Sequence, residues 1–264
     1  MSKKIIVIGA NSFSAGSFIN LLLNKKFYVI GISRSKKNKS CFLNFDFNHK
    51  RFKFYQYDIN IHRKKIINLI KKNKPKYVVN YASQSMVGQS WENPKDWFIT
   101  NSVSLPLLYK DIFDLKIITR LLHISTPEIY GSNSKKISEN QKYQPNTPYA
   151  ISRTTADFFL NIMHKNKAAP YVSVRASNVY GEYQKMYRII PKAVSFFSQN
   201  RKINLEGGGK SKRSFIHIDD VSEATLLVLL KGKNGSIYHV SGDDLISIKN
   251  LLIKIATILN VDFH

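Results

Sequence analysis

Short apolar runs alternate with amphipathic stretches along the first two thirds of the chain. The apolar runs are rich in β-branched residues, as strands are, and they lie at 5–8, 28–32, 52–57, 77–81, 117–124 and 171–175. The stretches between them have the periodicity of helices. Strands that alternate with helices form βαβ units, whose strands pair in parallel. The pattern therefore predicts an α/β protein built on a parallel sheet.

From about residue 183 the pattern changes to shorter elements, which glycines interrupt at 207–209, 232 and 235. We therefore expect residues 1–182 to form the large unit, and residues 183–264 to form a smaller lobe that interleaves with the sheet edge. The last stretch, 247–259, has apolar residues at helical spacing and predicts a core-facing helix. Earlier in the chain, Thr147 and Pro148 are typical of a helix start, which places Tyr149 in the first turn of a helix.

The first predicted strand ends in a turn of small residues that leads into an apolar helix. At Gly9, Ser12 and Ala15, small side chains would let backbone amides approach a pyrophosphate at a helix N-terminus. Only the first of the three is a glycine, so a turn without a ligand remains the alternative for this segment taken alone. The turn predicts a Rossmann-type dinucleotide-binding unit with a doubly wound parallel sheet.

The second strand ends in Ser33, Arg34 and Ser35, where an enzyme that prefers NAD usually has a carboxylate for the ribose hydroxyls. A guanidinium with neighbouring hydroxyls can hold a 2′-phosphate instead, so NADP is favoured and NAD is the alternative. An ordinary surface arginine would give the same pattern. Asp58, after the third strand, could accept a hydrogen bond from the adenine amino group or cap the following helix.

Charge and cysteine content narrow the class of protein. The 41 Lys and Arg residues exceed the 17 Asp and Glu residues, which gives a net charge of +24. The lysines are scattered in pairs without interleaved aromatic residues, so we expect a solvated basic surface and no nucleic-acid partner. The single cysteine, Cys41, cannot form an internal disulfide, and no apolar run is long enough for a signal peptide or a membrane span. These features predict a cytoplasmic protein that is not bound to a membrane, and no metal site is expected.

Tyr149 and Arg153 are one helical turn apart on the same helix face. A nearby cation stabilises a phenolate and brings the tyrosine closer to the pKa that a general base needs near neutral pH. With 14 tyrosines in the chain, a chance surface pair is the alternative.

Several further motifs occur in an order that resembles one enzyme family. They are NYASQS at 80–85, Pro94 with TN at 100–101, STPEIYG at 125–131, RASNVYG at 175–181 and RSFIHIDDV at 213–221. With the first turn and the tyrosine–arginine pair, they resemble the extended short-chain dehydrogenase/reductase family, the nucleotide-sugar epimerases and dehydratases. The resemblance spans nearly the whole chain. It implies a nicotinamide cofactor, a nucleotide-diphosphate sugar as substrate, and a role in making sugars for surface polysaccharides.

The resemblance also implies catalytic roles. Tyr149 would take a proton from a sugar hydroxyl, beside Arg153, while hydride leaves to the nicotinamide, and Ser125 or Thr126 would orient that hydroxyl. Glu128 would remove the proton next to the new ketone, because a keto group acidifies that proton.

Binding residues follow from the same resemblance. Ser85, Asn178 and Arg213 would contact the substrate, with Arg213 on the diphosphate. The residues expected to bind the cofactor are Gly9, Asn11, Ser12, Phe13, Ser33, Arg34, Ser35, Asp58, Ile59, Tyr81, Ala82 and Ser83.

Two positions depart from the family pattern. Arg153 stands where the family normally has a lysine, which preserves the charge but cannot give up a proton. Pro127 stands where dTDP-glucose 4,6-dehydratases have an aspartate that protonates the leaving hydroxyl. GDP-mannose 4,6-dehydratases also lack that aspartate, prefer NADP and carry arginine after the second strand, so Arg34 leans towards that branch.

The reaction we favour is a 4,6-dehydration: oxidation at carbon 4, loss of water across carbons 5 and 6, and return of the hydride to carbon 6. A 4-epimerase or a uronate decarboxylase of the same family is one alternative, and product analysis separates them. A relative that binds nucleotide sugar or NADP without turnover is the other. The chain stops soon after the helix at 247–259, which suggests a truncated lobe. The family implies a homodimer, with the helices at 95–114 and after Pro148 as its interface.

Overall fold

The computed structural model describes residues 4–36, 44–132 and 136–263. Cys41, the single cysteine used in predicting a cytoplasmic protein, lies outside these ranges. The strands are β1 Lys4–Ile8, β2 Tyr28–Ser33, β3 Phe52–Gln56, β4 Tyr77–Asn80, β5 Arg120–Ile124, β6 Tyr171–Ala176, β7 Asn178–Tyr180, β8 Lys212–His217, β9 Ser236–Val240 and β10 Leu245–Ser247. The helices are α1 Phe13–Asn24, α2 Arg63–Asn73, α3 Gln89–Glu92, α4 Pro94–Trp97, α5 Leu105–Asp114, α6 Pro148–Lys167, α7 Ile189–Phe197, α8 Ile218–Lys231 and α9 Ile248–Leu259.

In the described chain, seven parallel strands form one large sheet in the order β3-β2-β1-β4-β5-β6-β9. All six strands predicted from the sequence belong to it, and the predicted doubly wound fold is confirmed. The predicted strand bounds hold to within one residue except at β5, which begins at Arg120 rather than at residue 117. The backbone turns at Lys116, with φ of 52°, and the Thr119 amide then donates to the Lys76 carbonyl at 2.8 Å. Residues 117–119 therefore form the approach to the strand.

Both faces of the large sheet are covered, which explains why its strands are apolar throughout. Alternate residues of β1 point to opposite sides: Ile5 and Val7 pack with α1 and α8, whereas Ile6 and Ile8 pack with α2, α5 and α6. The predicted start of α6 is confirmed, because the Thr147 hydroxyl accepts from the Ala150 amide at 3.1 Å. The helix predicted at 95–114 is built from α4, a π-helical stretch Phe98–Ser104, and α5.

A second, smaller sheet follows in the order β10-β8-β7, with β7 parallel and β10 antiparallel to β8. Its apolar face packs with α7 and α9, so the predicted last helix is present and carries Leu252 and Ile255 into a core. Between these elements the chain returns to the large sheet through α8 and β9. The division of the chain at residue 182 stays a prediction. None of the helices described is long and apolar enough to cross a membrane.

Candidate active site

The first turn lies where the strand order reverses, between β2 and β4 at the carboxyl end of β1. In open α/β sheets ligands bind in the crevice at such a point. Gly9 has φ of 86°, and a Cβ there would lie 2.5 Å from the Ala82 nitrogen on the neighbouring strand end. Only glycine fits that approach. The N-terminus of α1 follows at once, capped by the Ser12 side chain, which accepts from the Ala15 amide at 3.3 Å.

A cleft of about 240 Å³ opens beside this turn. Its lining contains every residue predicted to bind the cofactor except Phe13, which lies on the second cleft described below. Sequence analysis missed Tyr57, Asn60 and Thr100, which also line it. Asn60 Nδ2 donates to Thr100 Oγ1 at 3.1 Å, so the segment after β3 is tied to the π-helical stretch. The family motif TN at 100–101 was the only sequence feature that pointed to Thr100. Helical spacing alone could not predict the π-helical backbone on which Thr100 lies.

Two of the predicted cofactor residues also organise the loops around this cleft. Asn11 Nδ2 donates to Ser35 Oγ at 2.9 Å and to the Lys36 carbonyl at 2.6 Å, so it joins the first turn to the end of β2. Asp58 Oδ1 accepts from the Asn60 amide at 2.8 Å within its own turn. The alternative that Asp58 caps α2 was wrong, because that helix begins at Arg63 after His62, without a side-chain cap.

The second cleft, of about 600 Å³, adjoins the first and runs towards the smaller sheet. It brings together Ser85, Ser125, Thr126, Glu128, Tyr149 and Asn178, all predicted from the sequence. Arg153 lies behind this wall, and Arg213 is not part of the lining. Arg213 is close enough to lower the pKa of Glu128, but its Nη1 donates to the Lys212 carbonyl at 2.8 Å. Its contact with a diphosphate therefore stays a prediction.

Tyr149 enters this cleft from the first turn of α6, where Ser90 Oγ accepts from its backbone amide at 3.1 Å. Burial raises the pKa of the Tyr149 phenol, whereas the Arg153 charge and the Thr126 hydroxyl lower it. Burial has the larger effect, so the pKa of Tyr149 lies above its ordinary value. The predicted cation therefore acts in the predicted direction, but burial outweighs it in the protein alone.

Of the two hydroxyls predicted beside the tyrosine, only that of Thr126 influences its pKa. Ser125 instead donates from Oγ to Asp157 Oδ2 at 2.7 Å, on the buried side of the cleft floor. The difference follows from strand geometry, because neighbouring side chains at a strand end point to opposite sides.

Glu128 lies one turn beyond, in a 3₁₀ helix Pro127–Tyr130 that Thr126 caps by accepting from the Glu128 amide at 3.4 Å. Pro127 suits the first position of this helix, since its missing N–H has no partner to lose there. The Glu128 side chain remains exposed to the cleft, while the surrounding protein desolvates the carboxylate and raises its pKa. Arg153, Arg213 and Arg188 lower that pKa to a smaller extent.

Arg153 is 2% exposed and donates from Nη2 to the Ile124 carbonyl at the end of β5. Its Nε and Nη1 have no hydrogen-bond partner within the described residues. Buried donors without a partner are unusual and call for a ligand or water. The guanidinium thus lies behind Ile124 on the wall of the second cleft, and two of its donor groups have no partner among the described residues.

The loop between β7 and α7 supplies lining residues that sequence analysis missed. They are Gln184, Lys185, Tyr187 and Arg188, joined from β8 by Phe215. Arg188 lies at the start of α7 and lowers the pKa of both Tyr149 and Glu128, so it belongs to the same electrostatic environment. The loop follows the RASNVYG motif directly, which was the only available signal. No cluster of His, Cys, Asp and Glu suited to a metal ion occurs among the described side chains.

Comparisons with known proteins agree with this geometry. A sequence profile of the NAD dependent epimerase/dehydratase family matches residues 5–241. Human dTDP-D-glucose 4,6-dehydratase is 31% identical over 248 residues, which cover 90% of this chain and 69% of that protein. The crystal structure of dTDP-glucose 4,6-dehydratase from Bacillus anthracis in complex with NAD superposes with a TM-score of 0.89 at 25% identity, covering 99% of this chain and 82% of that one. UDP-glucose 4-epimerase from Thermotoga maritima, with UDP-glucose, shares the fold with a TM-score of 0.90 at 21% identity, covering 99% and 84%.

Proposed function

The chain belongs to the NAD dependent epimerase/dehydratase family, and from that premise we propose that it catalyses the 4,6-dehydration of a nucleotide-diphosphate hexose. One observation carries the choice of reaction. The cleft places Glu128 beside the pair formed by Tyr149 and Thr126. Oxidation and reduction at carbon 4 need only the tyrosine and its hydroxyl partner, whereas loss of water needs a further base. The relatives named as 4,6-dehydratases support the same choice.

The residues of the first cleft fit a nicotinamide dinucleotide. The amides of the first turn and of the α1 N-terminus would hold the pyrophosphate, and Gly9 lets it approach closely. The adenosine end would lie between Ser33–Ser35 and Asp58, while the free Nε and Nη1 of Arg153 would meet the ribose beside the nicotinamide. When bound, the oxidised cofactor supplies a hydride acceptor and a positively charged ring.

In the first step Tyr149 accepts the proton of the carbon 4 hydroxyl as hydride leaves carbon 4. Burial disfavours the phenolate in the protein alone, so this base depends on the Arg153 charge and on the Thr126 hydroxyl, both of which lower its pKa. Thr126 is also placed to hold the reacting hydroxyl in line with the phenol. The result is a ketone at carbon 4.

In the second step Glu128 removes the proton from carbon 5, which the new ketone acidifies. The carbon 6–oxygen bond breaks, and the hydroxyl leaves with that proton as water. Glu128 is the only carboxylate on the described lining of this cleft, and Pro127 carries no acid, so one carboxyl group serves as base and then as acid. Return of the hydride to carbon 6 would complete the reaction. Glu128 would pass a proton from solvent to carbon 5 and Tyr149 would release its proton to solvent, so both side chains would recover their starting protonation states.

An anionic substrate fits the charges around the cleft. Lys185 and Arg188 line it, and Arg213 lies close enough to influence Glu128. A sugar joined to a diphosphate would meet these cations after the hexose has entered between Tyr149 and Glu128. These contacts from beyond residue 182 support the division of the chain into a cofactor unit and a substrate lobe.

The two forms of the cofactor differ by one phosphate. Arg34 lines the first cleft and is exposed beside Ser33 and Ser35, which supports the prediction of NADP. The Bacillus anthracis relative was solved with NAD, which supports the other form. We propose that NAD serves and that Arg34 adds affinity for NADP.

The exposed apolar side chains of two adjacent helical elements suggest a second copy of this chain as partner. Val103 of the π-helical stretch and Leu107 of α5 are 52% and 43% exposed. Phe158 and Ile162 of α6 are 52% and 56% exposed. These elements pack against each other, so their outer faces form one surface. An apolar surface of this kind is typical of an interface. We propose a homodimer through it.

Sedimentation of the wild type and two variants tests the dimer. Phe158→Glu should sediment as a monomer, because a carboxylate at each of two symmetry-related positions opposes association. Ile258→Glu, at a side chain that is 72% exposed on α9, should sediment as the wild type does. A monomeric wild type would rule out the proposal.

The proposed reaction is tested by incubating the protein with NAD or NADP and with dTDP-, GDP-, UDP- and CDP-hexoses. A 4-keto-6-deoxy sugar nucleotide is the expected product. A product epimerised at carbon 4 that keeps its carbon 6 hydroxyl would replace the proposal with an epimerase. Binding of sugar nucleotide with no chemical change would replace it with a non-catalytic relative.

A further inference from the structure

A buried ion pair lies beneath the second cleft and takes no part in the steps above. Asp157 of α6 is 4% exposed and Arg175 of β6 is 1% exposed, and Arg175 Nη2 lies 2.9 Å from Asp157 Oδ2. Removing two charges from water is costly, so such a pair is stable only when further hydrogen bonds satisfy both partners. One further hydrogen bond from each partner leads to the segment 125–130, which carries Thr126 and Glu128.

The same ion pair holds both ends of the segment 125–130. At its start, Ser125 Oγ donates to Asp157 Oδ2 at 2.7 Å. At its end, Arg175 Nη1 donates to the hydroxyl of Tyr130, which is 1% exposed. Thr126 and Glu128 lie between these two ties.

Asp157 also connects this segment to α6, the helix that carries Tyr149. In α6, residues 149, 153 and 157 are four apart and therefore share one face. The carboxylate that receives Ser125 is thus fixed to the same rigid helix as Tyr149. Through it, the ion pair links the end of β5 to α6 and β6.

The hydrogen-bond directions around His123 show that donors face both oxygens of Asp157. Asn80 Nδ2 donates to the Tyr109 hydroxyl at 2.8 Å, so that hydroxyl donates onward to His123 Nδ1 at 2.6 Å. His123 Nε2 then carries the ring proton and faces Asp157 Oδ1 at 3.5 Å. Burial, together with two nearby guanidiniums, lowers the pKa of His123 well below its usual value, which keeps it neutral.

We propose that the Asp157–Arg175 pair is a positioning device for catalysis: it holds both ends of the segment 125–130 and so fixes Thr126 and Glu128 relative to Tyr149. The catalytic consequence rests on the proposed dehydratase function. A displacement of about 1 Å in a reacting group can lower a rate by two orders of magnitude. Glu128 is closer along the chain to Tyr130 than Thr126 is. Loss of the hydrogen bond between Arg175 and Tyr130 should therefore slow elimination more than it slows oxidation.

Arg175 offers a matched pair of variants for this test. Its guanidinium carbon lies 5.0 Å from the ring centre of Tyr130 and 4.9 Å from that of Tyr143, and it donates to both hydroxyls. Tyr130 belongs to the segment 125–130, whereas Tyr143 lies outside it. Tyr130→Phe and Tyr143→Phe therefore each remove one hydrogen bond from the same guanidinium, and each keeps its ring. The Tyr130 hydroxyl also hydrogen-bonds His239 Nε2 at 2.8 Å and the Glu139 carbonyl at 3.4 Å, so Tyr130→Phe removes these bonds as well, whereas Asp157→Asn leaves them in place. Asp157→Asn removes the charge itself and serves as a third variant if it folds.

Hydrogen exchange of the peptide that spans residues 125–131 tests the device in the protein alone. Tyr130→Phe should raise the exchange rate of that peptide by roughly fivefold or more, the effect of losing at least one hydrogen bond. Asp157→Asn should raise it too, while Tyr143→Phe should leave it unchanged. Equal exchange in Tyr130→Phe and Tyr143→Phe would overturn the proposal.

Single-turnover kinetics test its catalytic consequence. In Tyr130→Phe the elimination rate should fall about tenfold and reduced cofactor should accumulate, with the Kd of the cofactor unchanged. General destabilisation would lower the fraction of active protein without changing the ratio of the elimination rate to the oxidation rate. If the ratio of the elimination rate to the oxidation rate were the same in Tyr130→Phe and Tyr143→Phe, the proposed effect of the ion pair on catalysis would be overturned. If the wild type turned over no sugar nucleotide, the dehydratase function would fail, and the exchange measurement would still decide whether the pair holds the segment.

Discussion

Gly9→Ala perturbs the closest backbone approach in the cofactor cleft. With φ of 86° at this residue, an alanine would adopt left-handed backbone at a cost of roughly 1–2 kcal/mol. Its Cβ would also lie 2.5 Å from the Ala82 nitrogen and 2.7 Å from the Tyr81 carbonyl carbon. Backbone atoms cannot swing aside as a flexible side chain can, and overpacking of this kind costs about 1–3 kcal/mol. We expect the free energy of unfolding to fall by roughly 2–5 kcal/mol.

Urea denaturation measures that loss, and titration with NAD and NADP measures the effect on binding. Relief of the contact has to separate the ends of β1 and β4, so the Kd of the dinucleotide should rise about tenfold or more, which corresponds to ~1.4 kcal/mol or more. Gly88→Ala is the matched control, because Gly88 has φ of −56° and no atom lies within 4 Å of its added Cβ. It should change stability by less than about 1 kcal/mol. A Gly9→Ala protein with wild-type stability and wild-type Kd would refute the reasoning.

Three further predictions concern the side chains of the two clefts. Tyr149→Phe should lower turnover by about 10²–10⁴-fold and leave the Kd of the cofactor nearly unchanged, and retained turnover would remove Tyr149 as the base. The desolvated site raises the pKa of Glu128, so its ionisation opposes folding: this penalty is absent below the ordinary glutamate pKa and grows as pH rises through the raised value. Glu128→Gln should therefore be slightly more stable than wild type at neutral pH but not in acid, as urea titrations at both pH values would show. The same difference in the free energy of unfolding at both pH values would contradict the raised pKa. Arg34→Ala should weaken NADP binding and spare NAD, whereas equal losses for both would mean that Arg34 does not contact the 2′-phosphate.

The sheet and most of the cofactor cleft were predictable because local patterns determine them. Six apolar runs gave six parallel strands, and the small residues after β1 gave the turn at Gly9. Thr147 and Pro148 fixed the start of α6, which in turn fixed the direction in which Tyr149 and Arg153 enter the site. Each of these features is set by neighbours within a few residues along the chain.

The remaining features depend on contacts between distant segments. The pKa of Tyr149 rises because several elements bury it, and no spacing rule reports that burial. Arg188 reaches the site only through the path of the loop before α7. The pairing of Asp157 with Arg175 joins a helix to a strand, and the four-residue spacing from Arg153 would have indicated only a shared helix face. The start of β5 was likewise set by the Thr119–Lys76 hydrogen bond to another strand edge.

The central claim is that one hydride leaves carbon 4 of a sugar nucleotide and returns to carbon 6 of the same molecule. A hexose nucleotide that carries deuterium at carbon 4 tests it directly, with the product analysed by NMR and mass spectrometry. The two clefts share Asn11, Ser12, Tyr81 and Ser83, and the second cleft holds Tyr149 and Glu128. We therefore expect a 4-keto product with the deuterium at carbon 6. Deuterium that remained at carbon 4 of an epimerised sugar would contradict it.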